Sequence, residues 1–167
     1  MKPEDILVRA RSQVGKLRYG LGRGGLRPTD QFAARPTWKV PKGKILPVKA
    51  LWCDCSGFVA WCLGISRNLP IKGFYVHTDA IYYDAINPAK QRLFVALGKA
   101  GGNKLPFDPR PGDLVVFPDA NGSQGHVAVI VDHKTRMVID CSSSQDGVAE
   151  RQAGSWWNGS IVVRFIG

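Results

Sequence analysis

The feature that most constrains this chain is a change of texture at Pro111-Gly112. Before it, apolar residues recur at helical spacing; after it, short β-branched runs alternate with turn residues. Residues 3–15 predict a first helix: Pro3 suits the first turn, Glu4 and Asp5 complement its positive end, and Ile6, Leu7, Ala10 and Val14 share a face. The run from Cys55 to Leu63 predicts a second, with Phe58, Val59, Cys62 and Leu63 as its apolar positions. Thr78 reads as the N-cap of a third over about 79–86, and a further short helix is expected near 89–97. Downstream, Asp113–Phe117, His126–Asp132, Met137–Cys141 and Ile161–Ile166 read as strands. Helices first and an antiparallel sheet afterwards imply an α+β fold, with the N-terminal helices packed on a central sheet. With 167 residues, 44% of them hydrophobic, the chain can bury a real core as one domain and is short for two.

Within that frame, Asp54-Cys55-Ser56-Gly57-Phe58-Val59 places a cysteine where an extended segment turns into a helix. Unpaired N–H groups in a first helical turn carry partial positive charge, which favours a thiolate. Cys55 is therefore the candidate nucleophile, and a nucleophilic thiol needs a base and a group to orient that base. His126 opens a strand directly after Gly122-Ser123-Gln124-Gly125. Along that strand Val127, Val129 and Val131 face one way and His126, Ala128 and Ile130 the other, so both faces are apolar and the strand reads as central. His126 then sits at a buried lip, suited to serve as the base.

Asp140 is the candidate orienting group. If His133-Lys134-Thr135 form a three-residue loop, Asp132 pairs with Arg136, Ala128 with Asp140 and His126 with Ser142. Asp140 then shares the face of His126 as a diagonal neighbour. An even-length loop without a bulge would turn it to the opposite face. Cys53, Cys62 and Cys141 read as packing thiols, with Cys141 pointing away from Asp140 into the core. The four cysteines lack the spacing of a disulfide framework or a structural zinc site, so no metal is expected.

The net charge of +10 is uneven: residues 1–52 carry 12 Lys/Arg against 3 Asp/Glu, and residues 53–167 carry 11 against 10. The excess falls largely in a glycine- and proline-rich irregular segment at about 20–51. It is either a solvated basic face or a guide toward a polyanion such as a wall polymer. Nucleic acid is not expected, because no helix-turn-helix, zinc-finger or aromatic-ribbon pattern accompanies the charge. No run of about 18 apolar residues predicts a membrane span, and no signal peptide is legible at the start.

Three blocks in order carry a family resemblance: Asp54-Cys55-Ser56-Gly57-Phe58-Val59, Pro111-Gly112-Asp113-Leu114-Val115 and Gly125-His126-Val127-Ala128-Val129. Together they resemble the NlpC-type cell-wall cysteine peptidases (NlpC and its p-sixty relatives), over roughly residues 12–145. The resemblance implies a papain-like fold, Cys55 as nucleophile, His126 as base and Asp140 at a third polar position that is commonly histidine in the family. Tyr19-Gly20-Leu21-Gly22 resembles the family's block before the nucleophile, which places Tyr19, with Ser56, at the substrate side of the cleft. The implied reaction is hydrolysis of an amide in peptidoglycan stem peptides, between D-glutamate and a diamino acid, with no cofactor. It would act on the cell wall, exported without a leader or stored in the cytoplasm; an inhibitor protein is not identified. The same Cys, His, Asp order also fits a transglutaminase-type acyltransferase, and a catalytically silent wall-binding module is the alternative from a different class.

Overall fold

A six-stranded antiparallel sheet forms the body of the molecule, in the strand order β3-β8-β4-β5-β6-β7. The structure, a computed structural model, describes residues 1–25, 52–67, 75–89, 93–102, 108–120 and 123–167. Its strands are β3 (Phe94–Lys99), β4 (Leu114–Phe117), β5 (His126–Asp132), β6 (Met137–Ser142), β7 (Gly147–Gln152) and β8 (Ile161–Phe165). Three helices, α1 (Pro3–Ser12), α2 (Cys55–Leu63) and α3 (Thr78–Ile86), pack on one face. A two-residue parallel pair, β1 (Arg18–Tyr19) and β2 (Trp52–Cys53), joins the end of the first helix region to the start of α2. The expected α+β, papain-like arrangement of helices on a central antiparallel sheet is the one observed.

Both faces of the sheet are covered, which is why β5 is apolar on both sides. On the helix side, Val127, Val129 and Ile139 meet Ile6 and Ala10 of α1, Phe58, Val59 and Cys62 of α2, and Ile81 and Ala85 of α3. On the other side, Val115, Ala128, Ile130, Val138 and Val162 lie under Trp157. Its indole N–H donates to the Ala100 carbonyl at 3.0 Å, so the large ring is buried without leaving a polar atom unpaired.

The β5–β6 hairpin reaches the expected register by another route. The connection is four residues, 133–136, with Asp132 opposite Met137 and not Arg136. A register shift between Ile130 and Asp132 then absorbs one residue, so Ile130 pairs with Val138 and Val129 with Ile139. Continued by one step, that register sets Ala128 opposite Asp140. The even loop and the bulge cancel, and Asp140 returns to the face of His126.

Three further expectations need correction. The helix near 89–97 is instead strand β3, whose Phe94 and Val95 pair with Phe165 and Arg164. The apolar run there suits either period, and the open edge of β8 decides it; the buried Asp84 carboxylate at the end of α3 anchors the start by accepting the Leu93 and Phe94 N–H groups at 3.0 and 2.9 Å. Thr78 is the first residue of α3 and not its cap; His77, in extended conformation, holds the cap position. The Thr78 hydroxyl donates to Asp119 instead, at 3.3 Å. Helix α1 ends at Ser12, short of Gly15, which takes a left-handed φ of 72° and donates its N–H to Val148 of β7 at 2.9 Å. Strand β7 itself was not legible: Val148 and Ala149 are followed by Glu150-Arg151-Gln152, and an edge strand needs no longer apolar run.

One glycine in α2 is required by close approach. A Cβ on Gly57 would stand 2.0 Å from the Arg23 carbonyl oxygen, where the loop after β1 crosses the helix. Gly57→Ala is expected to destabilise the protein by about 1–3 kcal/mol, because the backbone itself must move. Chemical denaturation checks this; a loss below about 0.5 kcal/mol would show that the loop yields freely.

Candidate active site

The site is built on the head of α2. Asp54 is its N-cap, extended at φ −97° and ψ −176°, with its carboxylate accepting the Gly57 N–H at 2.7 Å. The same carboxylate accepts the Gly22 N–H at 2.7 Å, tying the loop after β1 to the helix start. Arg67 donates to Asp54 at 2.7 Å, to the Ser56 hydroxyl at 2.8 Å and to the Arg23 carbonyl at 3.0 Å. Asp54 and Arg67 are 3% and 5% exposed, so this ion pair is internal and its hydrogen bonds are what make it tolerable. The network presents Cys55, the first residue of α2, as a partly exposed thiol on an open cleft of about 400 Å³.

His126 enters the cleft from the first position of β5. Its Nε2 meets the Asp140 carboxylate at 2.6 Å, and Cys55 lines the same cleft. Burial disfavours the imidazolium, but the hydrogen bond to Asp140 and the nearness of Cys55 and of the Asp140 charge outweigh it and push the His126 pKa up to about 9. Burial also opposes ionisation of Asp140, which has no exposed surface, yet hydrogen bonds from His126 and Arg151 hold its carboxyl below the usual range. The imidazole packs edge-on against Trp156, with centroids 5.1 Å apart, and lies beside Phe117 at 6.4 Å. These rings keep water from one side of the ion pair.

The loop before β5 is held as firmly. Asp119 accepts the Gly125 N–H at 2.5 Å and donates its own N–H to Asp79 at 2.7 Å. A Cβ on Gly125 would fall 2.6–2.8 Å from Thr78, Phe117 and Asp119, so the residue before His126 has no room for a side chain. The position of His126 is thus set by both the strand and its approach.

The candidate residues named from sequence converge here. Cys55, His126 and Tyr19 line the cleft, and Asp140 stands behind His126. Tyr19 lies on β1; burial and the nearby Cys55 and Asp54 raise its pKa, so it remains a protonated donor. Ser56 also borders the cleft, but its hydroxyl is buried at 2% exposure and spent on Asp54 and Arg67. Cys53 and Cys141 are buried with their sulfurs 3.2 Å apart, and Cys62 is buried in the helix-side core; all are free thiols. Of the basic segment expected at about 20–51, residues 20–25 are described, with Leu21 and Gly22 on the cleft wall, and 26–51 lie outside the described residues.

Sequence reasoning missed Asp54, Arg67, Arg151 and the part played by Trp156. Asp54 carried a usable signal, an aspartate immediately before a helical run. Arg67, Arg151 and Trp156 carried none, because each reaches the site only through the folded chain.

Chemically, the arrangement joins a helix-head thiol, an imidazole with raised basicity and a buried carboxylate in an open cleft. Among the described residues, no group of three or more His, Cys, Asp or Glu side chains could hold a metal ion, and no helix is long and apolar enough to cross a membrane.

The fold is shared with solved structures. The P60 domain of an antigen from M. avium subspecies paratuberculosis superposes with a TM-score of 0.57 at 18% identity, over 99% of this chain and 95% of that one. The peptidoglycan hydrolase RipB of Mycobacterium tuberculosis gives 0.57 at 20% identity, over 99% of this chain and 65% of its own. A mutated form of the Resuscitation Promoting Factor Interacting protein RipA gives 0.56 at 21%, over 98% of this chain and 62% of its own. The chain therefore spans somewhat under two thirds of the RipA and RipB structures. No curated protein matches it. The family resemblance drawn from the three sequence blocks is borne out at the level of fold by these neighbours. The model described as the CHAP domain matches residues 46–144, more than half of the chain and inclusive of Cys55, His126 and Asp140, so the chain belongs to the CHAP domain family.

Proposed function

We propose that this protein is a peptidoglycan hydrolase that cleaves an amide bond of the stem peptides through a thioester on Cys55. The observation that carries the reading is the convergence of a helix-head cysteine with the 2.6 Å His126–Asp140 pair in one cleft, inside the residues matched by the CHAP family. One solved neighbour, RipB, is a peptidoglycan hydrolase, which supports the wall as the place of action.

In this mechanism the Cys55 sulfur attacks the substrate carbonyl while its proton resides on His126. The oxyanion of the tetrahedral intermediate is met by the Cys55 backbone N–H at the head of α2. The intermediate collapses as His126 passes the proton to the leaving amine, which departs. Neutral His126 then takes a proton from water, and attack on the thioester frees the carboxylate and regenerates the thiol. Asp140 holds the imidazole in the required tautomer and supports its charge throughout. Tyr19 borders the substrate at the cleft wall. The bond proposed is that between D-glutamate and the following diamino acid.

Digestion of purified peptidoglycan fragments, with products identified by mass spectrometry, tests the reading. The wild type is expected to release a new amine and carboxylate at one stem-peptide bond, and Cys55→Ala to release neither. Conjugates that appear only with an added amine would favour acyl transfer. Binding without any Cys55-dependent product would favour the silent wall-binding module.

A further inference from the structure

Against the Asp140 carboxylate lies a second cation that the mechanism above does not use. Arg151 stands on β7, paired with Val138 of β6 and so next to the strand that carries Asp140. Its guanidinium donates Nε to Asp140 Oδ1 at 3.0 Å and Nη2 to Oδ2 at 2.5 Å. Oδ2 is the oxygen that also meets His126. A two-pronged guanidinium fixes the plane of a carboxylate as well as its charge, which a single-point cation does not. Arg151 and Trp156, which packs on the imidazole, both follow residue 144, where the family match ends.

We propose that Arg151 is a positioning residue, one that clamps the Asp140 carboxylate in the plane of His126 and tempers the negative charge His126 feels. This assignment rests on the hydrolase reading for its catalytic consequence but not for its electrostatic one. Asp140 is shut off from solvent and divides its charge between two cations, His126 and Arg151. Without Arg151 the carboxylate would have, among the described residues, the imidazolium as its one charged partner, and His126 would hold its proton more tightly. It would then be a poorer acid toward the leaving amine, and a less firmly oriented one. Among the described residues, Asp140 from β6 meets His126 directly and Arg151 from β7 reaches it through Asp140; the ionisable groups that share its cleft are Cys55, with Asp54 and Arg67 at the head of α2, Tyr19 from β1, His77 and Asp79 at the head of α3, and Asp119 from the loop before β5. From β4 and the 155–159 turn the neighbours are Phe117 and Trp156.

The test separates charge from chemistry. In a Cys55→Ala background, the His126 imidazole is titrated by NMR with Arg151 intact and with Arg151→Gln. The expected result is a His126 pKa about one unit higher in the Arg151→Gln protein, the scale of one unit charge beyond a shared carboxylate. With Cys55 present, Arg151→Gln is expected to lower kcat tenfold or more while KM changes less than twofold. Arg151→Lys, which keeps the charge and loses the fork, should leave the titration within about 0.3 unit and still depress kcat, and it carries the test if the glutamine variant does not fold. A folded Arg151→Gln protein with His126 titration unmoved or lowered, or either variant with wild-type kcat, overturns the proposal. A wild type that hydrolyses no stem peptide overturns the hydrolase reading instead, while the titration still decides the role of Arg151.

Discussion

His126→Ala is expected to lower kcat/KM for stem-peptide hydrolysis by about 10³-fold, the range found when a general acid–base is removed from a nucleophilic site. The loss should fall on kcat, since the imidazole acts on protons in flight and the cleft walls that hold the peptide are unchanged. Asp140→Asn is a sharper probe. Its amide is nearly isosteric, yet it removes the charge that supports the imidazolium and leaves one fewer acceptor for Arg151, whose two donors now reach both oxygens. A fall of about 10²–10³-fold in kcat is expected, with the fold intact by circular dichroism. Rates of either variant within threefold of the wild type would remove His126 and Asp140 from the mechanism.

Asp54→Ala is expected to be the most damaging change to stability, at about 3–5 kcal/mol. It would strip Arg67, 5% exposed, of its carboxylate partner and leave the Gly57 and Gly22 N–H groups without theirs. Because the network joins the loop after β1 to the head of α2, the same change should loosen the wall of the cleft beside Cys55. The double variant Asp54→Ala/Arg67→Met should recover part of the loss, since the buried positive charge is then removed together with the carboxylate it meets. Urea denaturation measures all three proteins. An Asp54→Ala cost below about 1 kcal/mol would mean that packing, and not this network, holds the helix head.

Much of the site could be read from local patterns, and the reasons are particular. Cys55 was visible because a strand-to-helix junction is written in neighbouring residues. His126 was visible because β-branched alternation begins at the next position. Asp140 depended on a register argument whose result was correct and whose details were not: the loop has four residues, and a bulge near Val131 restores the parity. The short helix expected near 89–97 failed for a related reason. A five-residue apolar run there fits both periods, and the hydrogen-bonding edge of β8 settles it.

By itself, then, the sequence determined the α+β class, the three blocks of the family and which thiol, imidazole and carboxylate come together at the cleft. All of these reside in short-range periodicity, turn chemistry and residue type, which a chain displays before it folds. Tertiary structure alone decided what surrounds them: Arg67 beneath the helix head, Trp156 against the imidazole and Arg151 clasping Asp140. Arg67 lies 13 residues from Asp54, and Arg151 lies 11 from Asp140, yet both are within hydrogen-bond reach. Such pairings follow from how strands and loops are laid side by side, which no local pattern in the chain displays.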